Sequence, residues 1–184
     1  LSILSNSPSR SKRILTILVF FLLSIVITIA GVLTPLSSKD SKDLSNDLKQ
    51  IQDETKNMTV WQSTIFIFTN NFRLCLLMFI PIAGPLIGSY ILYSTGLVIG
   101  AWGHENNVPS LIAFVALFIS PHTWLEFMAY SIAFAASVWL TWRAIKHQFK
   151  KEILQTCKFI AISALILLAA AFIEAYLIAA LPSA

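Results

Sequence analysis

Residues 61–81 read WQSTIFIFTNNFRLCLLMFIP, and how this stretch is assigned decides the fold. Between Trp61 and Trp102 the one charged residue is Arg73, and 74–80 is apolar throughout. A membrane crossing takes about 20 predominantly apolar residues at about 1.5 Å rise each. The stretch therefore reads as a spanning helix with two amides and a guanidinium, Asn70, Asn71 and Arg73, set into it. An arginine at the centre of such a helix costs about 2.5–3.5 kcal/mol on insertion scales, so a chain that keeps one gives it a partner.

The rest of the chain agrees with that assignment. Of 184 residues 57% are hydrophobic and only 12% charged, with mean hydropathy +0.76. A soluble domain carries roughly 25% charged residues. The expected fold is all-α, a polytopic membrane helix bundle forming a single integral membrane domain over residues 1–184. Its five spans are 14–33, 61–81, 85–102, 121–142 and 154–181. The first run follows a basic start and resembles a signal peptide, but those have an apolar core of only about 7–15 residues. At 20 residues it reads as a retained span. Leu1 stands where a methionine is expected and reads as a non-ATG start or a trimmed terminus.

Between the first two spans, 37–60 is polar, with Leu44, Leu48, Ile51 and Met58 at helical spacing and Ser37 or Ser38 placed to cap the start. This is an amphipathic helix whose apolar stripe must rest on the bilayer surface or on the protein. Ile80 to Pro85 holds two prolines and Gly84, which end one helix and turn the chain. Gly84, Gly88, Gly96 and Gly100 form small-residue steps that admit another helix backbone. That helix belongs to the same chain or, in a homo-oligomer, to a second copy. The apolar run 110–119 is about 15 Å of helix, half a membrane, and reads as re-entrant or interfacial. Ser120 then caps the next span, with Pro121 in its first position.

Eight of the 13 basic residues fall in two clusters, 10–13 and 143–158, each flanking a span. That is the pattern of cytoplasmic loops. It places the chain in the cell membrane with its amino terminus cytoplasmic, its carboxyl terminus outside and 37–60 on the outer face, where Asn57-Met58-Thr59 is a formal glycosylation sequon. The net charge of +4 is thus a topology signal, and the partners expected are the lipid bilayer and other integral membrane proteins, with no nucleic acid. Cys75 and Cys157 lack a CxxC neighbour and read as packing thiols.

Counting from the outer ends, Asn70 and Arg73 lie about 14 and 18 Å down the second span, Glu126 about 8 Å down the fourth and Glu174 about 10 Å down the fifth. His122 stands one turn above Glu126. These six groups form an intramembrane polar cluster. The simplest arrangement is a clasp in which Glu126 neutralises Arg73 while the asparagines serve backbone groups freed at broken helices. A second arrangement is a cation or proton site, since two carboxylates outweigh one guanidinium. His122 and Glu126, four residues apart, lack further ligands for a metal unless His104 or Glu105 joins them, so none is expected. Ser120 is too near His122 in sequence for a hydrolytic triad, and the chain has no phosphate loop or dinucleotide fingerprint. No catalysis and no cofactor are expected.

Three stretches, 65–74 (IFIFTNNFRL), 95–101 (TGLVIGA) and 121–126 (PHTWLE), together resemble the stage II sporulation protein M family of multi-pass membrane proteins. The resemblance runs over most of the chain through their order and spacing. Thr123 stands where the family usually has glycine, and Thr95 where it has asparagine. The member that names the family anchors cell-wall hydrolases in the membrane during engulfment, and many relatives occur in organisms that never sporulate. The resemblance therefore implies a multi-pass scaffold or accessory subunit of a membrane protein complex. The alternative is a small transporter or channel component using the polar cluster.

Overall fold

The computed structural model describes residues 9–56 and 58–180, and all the regular structure among them is helical. In chain order the helices are α1 (Arg10–Val32), α2 (Ser38–Lys56), α3 (Val60–Met78), α4 (Ala83–Glu105), α5 (Ser110–Leu117), α6 (Pro121–Ile145) and α7 (Phe149–Ala180). The expected end of the fifth span at Leu181, the carboxyl terminus at Ala184 and Asn57 of the sequon lie outside the described residues.

Four helices, α1, α4, α6 and the part of α7 from Glu152 to Ala180, are long and apolar enough to cross a membrane. The expected second span, α3, has the length but is diluted by Gln62, Ser63, Thr64, Thr69, Asn70, Asn71 and Arg73. It nevertheless lies within the bundle, between α7, α4 and α6. Asn71 meets Glu126, Cys75 meets the Ala129 carbonyl, and the Ile80 carbonyl meets Ser137. Those steps show α3 and α6 running side by side in the same direction.

α6 is the hub, touched by α1, α3, α4 and α7. Its inward positions are mostly small (Ala129, Ser131, Ala133, Ala135, Ala136, Ser137), which lets its neighbours approach closely. Phe134 fills the centre, stacked on Phe20 at 5.4 Å and lying over Gly88. The expected glycine steps are used inside the chain. A Cβ on Gly96 would stand 2.2 Å from the Thr28 carbonyl oxygen, and one on Gly31 would stand 2.1 Å from the Tyr93 carbonyl oxygen. Gly100 faces Val32 in the same way, so α1 and α4 run parallel in backbone contact.

The turns show how the punctuation residues act. Between α3 and α4 neither proline nor Gly84 takes the tight conformation. Ile82 does, at φ 67 and ψ −56, with Ala83 N–H donating to the Pro81 carbonyl at 2.7 Å. This is a γ-turn of the strained, positive-φ kind, on a β-branched residue. Thr141 Oγ1 accepts the Ile82 N–H at 2.8 Å. Ser120 stands at the N-cap and Pro121 opens α6, as expected, but the serine side chain makes no cap bond. The junction is sealed by Thr123 and Trp124, which donate to the Leu117 and Phe118 carbonyls, both at 2.8 Å. α5 is a short helix of eight residues, as its apolar run requires.

Ser37 does cap α2, accepting from the Asp40 N–H at 3.2 Å. α2 rests on α4, yet the seat is not the leucine stripe alone: Ser41 and Ser45 are fully buried, Leu44 and Leu48 half-buried, and Ile51 exposed. Ser41 Oγ reaches the Ala101 carbonyl, near the end of α4.

Candidate functional site

Helical geometry divides the polar residues of α3 between two faces. Successive residues turn by about 100°, so Ile67, Asn71, Cys75 and Met78 share one side, while Arg73 points about 200° away from Asn71. Ile67, Cys75 and Met78 are buried, and Asn71 is half-buried among them. Asn71 Nδ2 donates to Glu126 Oε1 at 2.6 Å. Leaving such a part-buried acceptor without its donor costs about 1–3 kcal/mol. The clasp expected between Arg73 and Glu126 is therefore replaced by an amide–carboxyl bond from the residue two positions earlier.

Glu174 of α7 is half-buried and within electrostatic reach of Glu126, and it accepts no hydrogen bond from a described residue. His122 is half-buried one turn from Glu126, its Nδ1 sealed from solvent without a partner among the described residues. Asn71, Glu126, Glu174 and His122 thus belong to the bundle interior near one end. Among the described residues no three His, Cys, Asp or Glu side chains converge as metal ligands, and His104 is engaged with its neighbour Glu105 at 3.6 Å.

Asn70 and Arg73 are elsewhere. Both are exposed on the outward side of α3, together with Thr69, and Arg73 makes no ion pair or hydrogen bond to a described residue. Apolar side chains frame them: Phe66 one turn before, Leu76, Leu77 and Ile80 one to two turns after, all between 37 and 39% exposed. The perimeter of a lone membrane bundle is ordinarily apolar, and polar groups at depth face the interior or a water-filled cavity and pair with one another or with backbone carbonyls.

The opposite end of the bundle holds a cluster that reading the sequence missed. Arg13 of α1 grips Glu152 of α7 in a two-pronged pair, Nη1 to Oε1 at 2.5 Å and Nη2 to Oε2 at 2.9 Å. Arg143 of α6 approaches the same carboxylate at 3.7 Å and bonds Gln148. The side chains of Arg143 and Glu152 are each 3% exposed and that of Arg13 13%. Trp139 and Phe159 flank the Arg13 guanidinium at 5.6 and 5.9 Å. The cluster ties α1, α6 and α7 together at the end where the two basic stretches meet. Its only signal in the sequence is Glu152, a single acid among Lys150, Lys151 and Lys158.

A family model described as Stage II sporulation protein M matches residues 17–177, from the second turn of α1 to the last turn of α7. No curated protein and no solved structure matches the chain.

Proposed function

The chain belongs to the stage II sporulation protein M family, and from that premise we propose that it is a multi-pass scaffold or accessory subunit of a larger membrane complex, without catalysis of its own. One observation carries this reading. The outward face of α3 presents Thr69, Asn70 and Arg73 on the perimeter of a bundle that spans with apolar helices. Polar groups there find their counterpart in another membrane protein. The rest of the molecule supports a rigid support: backbone contact between α1 and α4 and an ion-paired tie across one end. With the basic stretches on the cytoplasmic side of the cell membrane, α1 starts inside, α2 lies on the outer face and α7 ends outside.

The second reading, a small transporter component, draws on Glu126, Glu174, Asn71 and His122 gathered inside the bundle. One preparation separates the two. A scaffold extracted in mild detergent runs in native gels within an assembly larger than itself, and gives no cation or proton flux when reconstituted alone. Flux from the isolated chain, abolished by Glu174→Gln, would establish the transporter instead. Topology is read with an impermeant thiol reagent in a Cys157→Ser background: Asp47→Cys labels from outside intact cells and Lys146→Cys does not.

A further inference from the structure

We propose that Arg73 anchors an interface with a transmembrane helix of a different protein, one that carries an aspartate or glutamate at the depth of Arg73. This rests on the scaffold reading and names the chemistry of its partner. Thr69, Asn70 and Arg73 sit within one helical turn on the outward side of α3, and none bonds a described residue. Around them Phe66, Leu76, Leu77 and Ile80 offer apolar shoulders against which a second helix packs. A polar centre inside an apolar rim is how membrane helices recognise one another, through packing together with interhelical hydrogen bonds.

Charge sets the identity of the occupant. The face presents a cation, so the complementary group is a carboxylate, which a guanidinium binds in a two-pronged geometry. A second copy of this chain is poorly supplied. Its carboxylates at comparable depth are Glu126, bonded to Asn71, and Glu174, on the side of α7 that bears buried Ser163, Leu167 and Ala170. Lipid phosphate answers only part of the face. The long arginine side chain can extend toward headgroups, but Thr69 and Asn70 are too short and would stay in hydrocarbon. A helix bearing an acid beside further polar groups satisfies all three residues.

The test uses the full chain in its own membranes, with photo-activated p-benzoylphenylalanine placed singly at Phe66 and at Leu77. Each is one turn from the polar centre, and Leu18 on the exposed side of α1 serves as reference. The expected result is a discrete protein adduct from Phe66 and Leu77, absent from Leu18. Its yield falls at least tenfold with Arg73→Ala and returns with Arg73→Lys. Mass spectrometry places the adduct in a transmembrane segment containing an acid, and exchanging charges, Arg73→Glu here and the acid to arginine there, restores it. Alkylation of Cys75 stays slow in every variant, showing that the bundle is folded. An adduct indifferent to Arg73→Ala, one mapping to a segment without a carboxylate or to a second copy, or lipid adducts alone would overturn the proposal. If the larger assembly persists in native gels despite such a result, the scaffold reading stands and only the Arg73 interface fails. A chain that runs alone in native gels and yields no protein adduct from any position removes both.

Discussion

Replacing Glu152 by glutamine removes the one negative charge that Arg13 and Arg143 share. Removing one partner of a buried ion pair costs about 3–5 kcal/mol, because the charge left behind stays in a poorly solvated place. Two features bring the estimate to the lower end. Arg143 keeps its bond to Gln148 and its contact with the Trp142 ring. Arg13 keeps the Trp139 and Phe159 rings, and it alone of the three is appreciably open to water. The expected loss is about 3 kcal/mol, a fall in Tm of roughly 6–12 °C for a chain of this size. Cys75 supplies the assay, being completely buried while Cys157 is exposed. In a Cys157→Ser background, a thiol-reactive dye that fluoresces on coupling reports unfolding through Cys75 alone. Arg13→Met in the same assay should cost less, and the double variant should show at least about 1.5 kcal/mol of coupling. If Glu152→Gln melts within a degree of the parent, or the coupling vanishes, the cluster is an incidental surface contact and the argument for a tie is wrong.

Three further outcomes follow from the packing. Arg73→Leu should leave the Tm of the isolated chain unchanged or higher, whereas Asn71→Leu should lower its stability by about 1–3 kcal/mol because it strips part-buried Glu126 of its donor; the reverse order, seen in the same dye assay, would revive the Arg73–Glu126 clasp. Gly96→Ala drives a methyl group against the Thr28 carbonyl and should cost about 1–3 kcal/mol, read as a fall in Tm in the same dye assay. Ile82→Gly should raise stability by about 1 kcal/mol by relieving a positive φ on a β-branched residue, and a lower Tm would show that the γ-turn is not strained.

The membrane class and the helices were legible because burial in lipid forces apolar length, and length is countable. The short α5 helix, the α2 cap and the small-residue steps at Gly84, Gly88, Gly96 and Gly100 came from the same local rules, which do not say whether the helix they admit belongs to the same chain. The error at Arg73 came from counting depth along the helix without counting angle around it. The positions of Ile67, Cys75 and Met78 already assign Asn71 to the buried side and turn Arg73 away from it. The Arg13–Glu152–Arg143 cluster was hidden for another reason. Its members are up to 139 residues apart, and basic residues at span ends have a sufficient explanation in topology. Ile82 was obscured by its neighbours, since prolines and a glycine draw attention to themselves while the strain falls on the residue between them.

Enclosure of α6 has a consequence for how the protein is made. Of the four apolar helices it is the least apolar, and two-thirds of its most apolar window is buried against other helices. It is synthesised after α1, α3 and α4, which form three walls, and before α7, which forms the fourth. Until α7 arrives, the side of α6 that meets Ser163 at the Ala129 carbonyl lacks its cover, and Arg13 and Arg143 lack the carboxylate they share, because Glu152 is encoded on the helix still to come. α7, last in chain order, is the helix that completes the packing around α6. A ribosome that stops between α6 and α7 leaves a chain without the carboxylate that joins Arg13 to Arg143 and with an open seam along its hub.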